Sequence, residues 1–445
     1  MTEMESTKTY RSYTLGNFRK IPQIQQYLTE EQQFDIEVVG NVLPFKANNY
    51  VIDELIDWNN IPNDPIFVLT FPQRDLLKPE HYEQVAAAIK EGKSKAEIRQ
   101  VANEIRLQLN PHPAGQLELN VPTLNDTKLK GIQHKYRETM LFFPQQGQTC
   151  HAYCTFCFRW PQFVGMDEFK FAMKEADVLK EYVQQHPEVT DVLFTGGDPM
   201  IMKTRLFRQY VEPLLEADRD THNVQTIRIG TKALGYWPYK FTTDPDAQDM
   251  LDLFKELQDA GYNVSIMAHF NHWAELETDA VREAVANIRA TGAQIRTQSP
   301  ILRNINDSDD VWSRMWRTQV NMGMIPYYMF LPRDTGAKHY FDVPLEEAWN
   351  LYRKAYQQVS GVCRTVRGPS MSAGPGKVQI LGIQEVMGQK VFVLRFLQGR
   401  NPDWVHRPFF AKYDPQASWL DDLEPAFGDE NFFYEEESIE AFAKA

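Results

Sequence analysis

The chain has 445 residues and a formal net charge of −13 at neutral pH. Its 43% hydrophobic and 24% charged residues are typical of a globular protein with a large buried core. The acidic balance argues against broad binding of nucleic acid, which needs a basic face. The sequence has no apolar run of about 18 residues and no apolar leader, so we predict no membrane segment and a cytoplasmic location.

The first 115 residues are predicted to form an N-terminal, mainly helical region. Candidate helices cover residues 50–58, 81–90 and 95–109. Asn110-Pro111-His112-Pro113 follows the last of them, and prolines at this density end helices and mark boundaries. We therefore place the first boundary at residue 115.

Residues 116–344 show a repeated alternation of strand and helix. Short apolar runs predict buried parallel strands, and amphipathic segments between them predict helical crossovers. Six such units predict an α/β fold with a partial (β/α)6 barrel, in which chemistry gathers at the carboxyl ends of the strands. The predicted strands are 140–143, 191–194, 225–229, 263–268, 294–297 and 326–331, and the predicted helices are 169–185, 206–217, 247–259, 279–290 and 311–321.

Residues 345–445 are predicted to form an α+β extension. A helix at 345–358 precedes a glycine-rich segment, and two alternating runs at 377–386 and 390–397 predict a β-hairpin. The last residues, from Trp419 onward, are acidic and aromatic and predict a tail that is solvated or packed at an interface.

Three of the four cysteines form the run Cys150-His-Ala-Tyr-Cys154-Thr-Phe-Cys157. Thiolates at this spacing can hold three corners of a cubane iron–sulfur cluster and leave the fourth iron open to a small molecule. The alternative is a structural zinc site, which takes four protein ligands, with Cys363 or His151 as the fourth. No second C-x2-C pair exists, so the spacing favours the cluster.

A glycine pair follows the second predicted strand, in Thr195-Gly196-Gly197-Asp198-Pro199. Paired glycines at a strand end allow the backbone to approach a ligand closely. With the cysteine run, these motifs resemble the lysine 2,3-aminomutase family of radical S-adenosylmethionine (SAM) enzymes, which are isomerases. The likeness continues, in matching order, through Arg228-Ile229-Gly230-Thr231, His269-Phe270-Asn271-His272, Gln298-Ser299, Asn306-Asp307, Pro326-Tyr327-Tyr328 and a glycine-rich run that ends in Lys377.

The resemblance implies three cofactors, namely a [4Fe-4S] cluster, SAM and pyridoxal 5'-phosphate (PLP). In such an enzyme the reduced cluster cleaves SAM to a 5'-deoxyadenosyl radical, and PLP allows the amino group of an amino acid to move from carbon 2 to carbon 3. The protein itself supplies binding, orientation and exclusion of side reactions. The partners expected are a small amino acid substrate and an electron donor such as flavodoxin or ferredoxin.

The resemblance also implies roles for individual residues. Lys377 corresponds to the lysine that forms the Schiff base with PLP, although the bare sequence would make it a turn lysine. Arg159 corresponds to the arginine that grips the substrate carboxylate, and Lys135 and Tyr136 lie where the family binds the PLP phosphate. The residues matching SAM contacts are Gly196, Gly197, Asp198, His269 and Gln298.

Two positions depart from the lysine-specific members, which hold the distal ammonium of lysine with two aspartates. The same count here reaches Arg333 and Ser370. A lysine ammonium facing Arg333 would be repelled, whereas a distal carboxylate would be attracted. We therefore predict an acidic substrate such as glutamate, although a shift of one residue would place Asp334 at the first position.

Other functions remain open from the sequence. The chain could be a lysine 2,3-aminomutase proper, an aminomutase of a lysine within a protein, or a non-catalytic iron–sulfur or zinc protein. The family's cysteine cluster for an intersubunit zinc has no counterpart after Cys363, and Ser308 follows Asn306-Asp307, so we predict no structural zinc. Assembly into homo-oligomers through ordinary packing is compatible with the sequence.

Overall fold

The computed structural model describes residues 9–435 and residue 437, so residue 436 and residues 438–445 of the predicted tail lie outside the described residues. One eleven-stranded sheet organises the chain, and its strands lie side by side in the order in which they occur in the sequence. The strands are β1 (Ile132–Tyr136), β2 (Thr139–Phe142), β3 (Asp191–Phe194), β4 (Thr226–Thr231), β5 (Asn263–His269), β6 (Gln294–Pro300), β7 (Ile325–Phe330), β8 (Arg367–Ser372), β9 (Gly376–Val386), β10 (Gln389–Gly399) and β11 (Pro408–Lys412).

Strands β2 to β8 pair in parallel, and one helix crosses between each successive pair. The ends of the sheet are antiparallel, because β1 pairs with β2 and strands β8 to β11 form a meander. In chain order the longer helices are α1 (Glu30–Val42), α2 (Pro79–Lys90), α3 (Lys95–Gln108), α4 (Asp177–Gln185), α5 (Thr204–Leu215), α6 (Ala247–Asp259), α7 (Asp279–Ala290), α8 (Asp309–Asn321) and α9 (Leu345–Gln357), with short helices at Pro22–Tyr27, Pro65–Thr70, Ala233–Tyr236 and Lys338–Phe341. Helices α4 to α9 are the crossovers.

The parallel strands have one apolar and one polar face. In β4 the side chains of Ile227 and Ile229 are fully buried in the core that the sheet forms with its crossover helices. Thr226, Arg228 and Gly230 alternate with them and point to the opposite face, because successive strand residues point to opposite sides. The face away from the helices therefore carries the polar side chains.

The six predicted strands are all confirmed, and β1, β8 and β11 are additional. The predicted helix 169–185 is wrong in its first half, since α4 begins only at Asp177. Phe169, Phe171 and Met173 are buried alternately, and Met173 forms an isolated bridge with Pro144. This segment is extended, because its apolar residues follow a period of two.

The N-terminal region contains one long helix that was not predicted, α1, and two short ones, Pro22–Tyr27 and Pro65–Thr70. Helix α1 begins with a capping box in which Thr29 and Gln32 bond to each other's backbone. A threonine followed three residues later by glutamine is a recognised signal for the start of a helix, and it is visible in the sequence. Helices α2 and α3 confirm two predictions, whereas the predicted helix 50–58 is a π-helical turn, Val51–Leu55, followed by the 3₁₀ turn Trp58–Asn60.

The N-terminal region packs on the end of the sheet that carries the cysteine loop. Its apolar residues share a core cluster with Ala152 and Trp160 of the cysteine loop and with Tyr236, Leu302 and Phe341 from loops after β4, β6 and β7. These loops follow the carboxyl ends of their strands, so the N-terminal region covers that end of the sheet. None of the helices in the described part of the chain is both long enough and apolar enough to cross a membrane.

Candidate functional site

The cysteine loop follows β2 and is held in place by the N-terminal region. The Tyr10 hydroxyl donates to the carbonyl of His151 at 2.7 Å, and the Lys46 ammonium donates to the carbonyl of Cys150 at 2.7 Å. The buried amide of Asn48 donates to the carbonyls of His151 and Tyr236 at 3.2 and 2.9 Å. The loop is thus fixed by hydrogen bonds from chain segments that lie more than 100 residues upstream.

The three thiols lie together in an apolar environment. Burial raises the pKa of Cys154 to about 12 and that of Cys157 to about 11, and it raises the pKa of Cys150 well above its usual range. The hydroxyl of Tyr236 lies 3.3 Å from Cys154 Sγ. Thiols in such a site are protonated until a positively charged metal replaces the protons.

The spacing of the three sulfurs is wider than a single zinc ion requires. Thiolates around one zinc lie ~3.8 Å apart, from the Zn–S distance and tetrahedral geometry. The three cysteine sulfurs do not all lie within 4.8 Å of one another; among the described residues that condition is met by His134, His186 and Glu188, away from this loop. The three sulfurs are therefore not arranged as the compact ligand set of a single zinc ion.

The two residues considered as a fourth zinc ligand do not complete such a site. Cys363 is buried in the core of the sheet, just before the amino end of β8, whereas the cysteine loop lies at the carboxyl ends. His151 has a buried Nδ1 without a partner, but it is absent from any three-ligand group of the described residues.

The Gly-Gly-Asp turn lies directly against the base of the cysteine loop. The amide of Asp198 donates to the carbonyls of Gly147 and Thr149 at 3.0 and 2.8 Å. A Cβ at Gly197 would lie 2.5 Å from the backbone of Thr149, so only glycine permits this approach. The turn after β3 and the loop after β2 thus form one unit.

The side chain of Asp198 is occupied by the protein. Its carboxylate accepts hydrogen bonds from Met200 N at 2.9 Å, from Thr231 Oγ1 at 2.7 Å and from Lys232 N at 2.9 Å. It therefore joins the turn after β3 to the end of β4. The adjoining Gly196 and Gly197 pack against Gln148 and Thr149 of the loop after β2.

His269 and Gln298 lie side by side at the carboxyl ends of β5 and β6, where they are paired in register. The buried Nε2 of His269 has no partner, and its ring lies 5.6 Å from that of Phe156 in the cysteine loop. Burial, aided by Lys232, lowers the pKa of His269 well below its usual range, so the imidazole is neutral. An unpaired buried nitrogen beside the cysteine loop is suited to a polar ligand.

A buried ion pair supports this end of the sheet and was not predicted. The Lys232 ammonium donates to Glu275 Oε1 at 2.6 Å and to Asn271 Oδ1 at 2.8 Å, and Glu275 has no exposed surface. The other carboxylate oxygen of Glu275 accepts from the amides of Asn271 and His272. The pair fixes the loops after β4 and β5 behind the cysteine loop.

Lys377 is the second residue of β9 and lies on the polar face of the sheet. Its ammonium donates to Gln398 Oε1 at 3.0 Å and lies 4.0 Å from the centroid of the Tyr328 ring. Burial lowers the pKa of Lys377 well below the usual range for lysine, and the neighbouring cations Arg228 and Arg367 lower it further. A buried lysine with a depressed pKa is a nucleophile at neutral pH.

Arg159 and Arg333 meet at the ring of Phe158. The guanidinium carbon of Arg159 is 4.9 Å from the ring centroid and that of Arg333 is 4.4 Å from it. Neither arginine belongs to an ion pair of the described residues, and Arg159 Nη1 is buried without a partner. Burial and the charge of Arg333 lower the pKa of Arg159 to about 9. The two guanidinium groups therefore carry positive charge that no ion-pair partner among the described residues balances.

The cleft beside Arg159 is narrow, with a volume of about 10 Å³, and His112 and Gln116 line its outer side. A carboxylate bound to Arg159 would therefore replace side-chain contacts rather than fill existing space. Residues from the stretch 111–117, in the segment that precedes β1, line the cleft and thus cover Arg159.

Asp334 does not share the position of Arg333. Its Oδ2 accepts a hydrogen bond from the exposed amide of Asn110 at 3.1 Å, whereas its Oδ1 is buried without a partner. Its charge raises the pKa of Asp421, and it also acts on Arg333, whose pKa it raises against the larger effect of burial. Arg333 instead faces Phe158 and Gln116.

Ser370 is fully buried in β8, and its hydroxyl donates to the carbonyl of Met329 at 3.3 Å. The position is uncharged and its hydroxyl is used within the sheet.

Lys135 and Tyr136 lie on β1, beside Lys377. The Lys135 ammonium donates to the carbonyl of Ala373, and Arg333 and Arg400 are nearby cations that, together with burial, lower its pKa well below the usual range. Tyr136 lies 5.9 Å from the Lys377 ammonium. These contacts join the first strand of the sheet to the segment between β8 and β9.

Sequence reasoning missed a second group of cations on the polar face, formed by Arg228, Arg296 and Arg367. The signal was present for the first two, because each alternates with buried apolar residues along its strand. Arg367 gave no such signal, since β8 was not predicted.

Comparison with known sequences shows clear relatives. No family model matches the chain. A protein of Aquifex aeolicus (strain VF5), provisionally named L-lysine 2,3-aminomutase, is 31% identical over 395 residues, which cover 89% of this chain and 91% of that protein. The L-lysine 2,3-aminomutase of Clostridium subterminale is 25% identical over 285 residues and that of Fusobacterium nucleatum is 26% identical over 276 residues. These matches cover 64% and 61% of the two enzymes, less than two thirds of each, and 64% and 62% of this chain.

Solved structures resemble the chain only weakly. A radical SAM methyltransferase from Sphaerobacter thermophilus is 12% identical with a TM-score of 0.36, over 64% of this chain and 93% of that one. SuiB of Streptococcus suis, in a complex with S-adenosylmethionine, is 13% identical with a TM-score of 0.35, over 61% of this chain and 56% of that one.

Proposed function

The chain belongs to the lysine 2,3-aminomutase family of radical SAM isomerases, and from this membership and the geometry of the site we propose that it is a 2,3-aminomutase of an acidic amino acid such as glutamate. The observation that supports this substrate is the pair Arg159 and Arg333 at one phenyl ring, without a carboxylate partner. The family's cofactors are a [4Fe-4S] cluster, SAM and PLP.

We propose that the sheet curves into a partial (β/α)6 barrel whose interior is its polar face. The contact between Lys135 on β1 and the carbonyl of Ala373, beyond β8, supports this curvature. Strands β1 and β8 are seven places apart in the sheet, so a flat sheet would separate them by about 30 Å. A curved sheet brings Lys377 into the interior.

The residues of the site fit the three cofactors. When bound, the cluster and SAM supply the radical and PLP supplies the carrier for the migrating amino group. Cys150, Cys154 and Cys157 would hold the cluster with the wide sulfur spacing described above. Lys377 would attach PLP through its neutral amine. The backbone of Gly196 and Gly197, the unpaired Nε2 of His269, Gln298 and the turn held by Asp198 would bind SAM.

The substrate would lie between the cysteine loop and Lys377. Arg159 would bind one carboxylate through a charge-assisted hydrogen bond from its unpaired Nη1. Arg333 would bind the distal carboxylate, and the Oδ2 of its neighbour Asp334 is bonded to Asn110. At the second departure from the lysine-specific pattern, Ser370 adds no negative charge that would favour a distal ammonium.

The second candidate is lysine, free or within a protein. It is favoured by the relatives, which are named for lysine. For lysine to bind as it does in the family, its distal ammonium would need an acid at the position of Arg333. That requirement makes the acidic substrate the better match.

The remaining partners follow from the cofactors. A cluster that must be reduced needs a low-potential electron donor, such as flavodoxin or ferredoxin, and a reducing cytoplasm suits its thiolate ligands. We leave the oligomeric state open to measurement by light scattering.

The proposal is tested with enzyme reconstituted anaerobically with iron, sulfide, PLP and SAM and supplied with a chemical reductant. Incubation with L-glutamate is expected to give 3-aminopentanedioate, the product of moving the amino group from carbon 2 to carbon 3. Omission of any one cofactor should abolish the product. Conversion of lysine alone would overturn the acidic substrate, and reconstituted enzyme that cleaves no SAM and converts neither amino acid would overturn the whole proposal.

A further inference from the structure

The polar face of the sheet contains a cavity of about 550 Å³ near the amino ends of the parallel strands. It lies at the opposite end of these strands from the cysteine loop. Arg228 on β4, Arg296 on β6 and Arg367 on β8 line it, together with one carboxylate, that of Asp191 on β3. The cavity therefore holds three guanidinium groups against one acid.

Only one of the three arginines is neutralised. Arg228 Nε donates to Asp191 Oδ1 at 2.7 Å. Arg296 and Arg367 form no ion pair in the described part of the chain, although Arg296 Nη2 donates to Gln294 Oε1 at 3.1 Å. Their guanidinium carbons lie 5.2 and 4.1 Å from the centroid of the Tyr327 ring. Stacking on a ring face fixes the plane of a guanidinium and leaves its N–H groups available. Two excess positive charges with available donors match a doubly charged anion.

Lys377 does not line the cavity, but it lies close to three residues that do, since the charges of Arg228, Arg367 and Asp191 all act on it. The guanidinium carbon of Arg367 lies 4.4 Å from the centroid of the Tyr328 ring, and the Lys377 ammonium lies 4.0 Å from the same centroid. The Arg367 guanidinium carbon and the Lys377 nitrogen are therefore separated by no more than the sum of these two distances. One small ligand can therefore reach both.

We propose that this cavity binds the phosphate group of PLP, with Arg367 and Arg296 as phosphate ligands, while the aldehyde end of the cofactor reaches Lys377. The inference rests on the proposed function, since it requires PLP at Lys377. A phosphate dianion is the group that a planar guanidinium binds with two parallel hydrogen bonds. Ser265 and Thr226 are further polar residues that line the same cavity.

This assignment differs from the one that the family resemblance implied. Lys135 and Tyr136 were predicted as phosphate ligands, but the Lys135 ammonium already donates to the carbonyl of Ala373. Arg367 and Arg296 line the cavity without an ion-pair partner among the described residues.

The test measures cofactor binding rather than turnover. Enzyme with its cluster intact is stripped of PLP and titrated with PLP and with pyridoxal, which lacks the phosphate. Arg367→Met is expected to weaken PLP binding roughly 10- to 100-fold, the effect of losing a charged hydrogen-bonding partner, and to leave pyridoxal binding unchanged. Arg353→Met is the matched control, because Arg353 is an exposed arginine whose guanidinium lies 5.8 Å from the Trp349 ring centroid. It should change neither affinity.

Lys135→Met is measured in parallel, and the outcomes separate the two phosphate positions. Loss of the preference for PLP over pyridoxal in Lys135→Met but not in Arg367→Met would overturn the inference. Equal weakening of both ligands in Arg367→Met would also overturn it, since that result indicates general damage to the site. If borohydride reduction and peptide mass spectrometry find no PLP on Lys377 of the unaltered enzyme, both this inference and the proposed function fail. PLP on Lys377 with unchanged affinity in Arg367→Met overturns the inference alone.

Discussion

Arg159 and Arg333 approach the same phenyl ring, that of Phe158, with guanidinium carbons 4.9 and 4.4 Å from its centroid. Two buried cations this close repel each other, and the lowered pKa of both guanidiniums reflects burial and, for Arg159, the charge of Arg333. An anionic ligand between them would relieve the repulsion. A dicarboxylic amino acid is the simplest ligand with two such groups.

Replacing Arg333 should change which amino acid the enzyme prefers. Arg333→Asp is expected to lower kcat/KM for glutamate at least roughly 100-fold, because an attractive contact becomes a repulsive one. It should also introduce measurable turnover of lysine. Arg353→Asp is the control, since Arg353 is an exposed arginine that lies near Trp349 and away from the site, and it should leave both rates unchanged. Equal activity of Arg333→Asp and unaltered enzyme on glutamate would remove Arg333 from the substrate site.

The cysteine loop should depend on its hydrogen bonds from the N-terminal region. Asn48→Ala leaves the carbonyls of His151 and Tyr236 without their buried donor, at a cost of about 1–3 kcal/mol for each unpaired group. The variant is expected to hold less iron after reconstitution and to lose it faster to a chelator. Asn223→Ala is the control, because this exposed amide also donates to a carbonyl, that of Pro187, but far from the loop. Identical iron loss from both variants would contradict the role of Asn48.

The four cysteines should divide into three that bind iron and one that does not. Cys157→Ser is expected to abolish the visible absorbance of the cluster and the cleavage of SAM. Cys363→Ser should retain both, since Cys363 is buried in the core before β8. The measurement is iron and sulfide content with SAM cleavage. Zinc in the unaltered protein that is lost in Cys363→Ser would instead favour a four-ligand zinc site.

The attachment of PLP should have a pH dependence set by Lys377. The neutral amine is the reactive form, so the rate rises with pH through the pKa of the lysine and then levels off. Because burial and the charges of Arg228 and Arg367 lower this pKa, the midpoint is expected well below the ordinary lysine value of about 10.4. Arg228→Gln removes one of these charges and should move the midpoint to higher pH, whereas Arg353→Gln should not. Stopped-flow absorbance against pH measures this, and an unshifted midpoint in Arg228→Gln would argue against that charge coupling.

The sequence was informative where one local pattern decided the structure. The strands β3, β5 and β6 stood out because short apolar runs between amphipathic helices have few alternatives. Strand β8 was missed because Arg367-Gly368-Pro369-Ser370 has neither an apolar run nor alternation, and its pairing with β7 and β9 imposes the strand. Pairing with the neighbouring strands thus outweighed the weak local preference of this segment for strand structure.

For the site as well, the sequence was informative only about residues that are close together in the chain. Cys150, Cys154 and Cys157 are close in the chain, so their spacing alone indicated a shared metal group. Arg228 and Arg367 are far apart in the chain, and only the fold brings both to the cavity near Lys377. The hydrogen bond between Asp334 and Asn110 likewise joins residues more than 200 positions apart, so the sequence does not indicate it.

The most direct measurement is a competition between substrates in one reaction. Reconstituted enzyme receives equal amounts of isotopically labelled L-glutamate and L-lysine, and the 3-amino products are separated and counted. The structure predicts labelled 3-aminopentanedioate as the dominant product, with little 3,6-diaminohexanoate. Labelled 3,6-diaminohexanoate as the only product would contradict the assignment of Arg333 to a distal carboxylate.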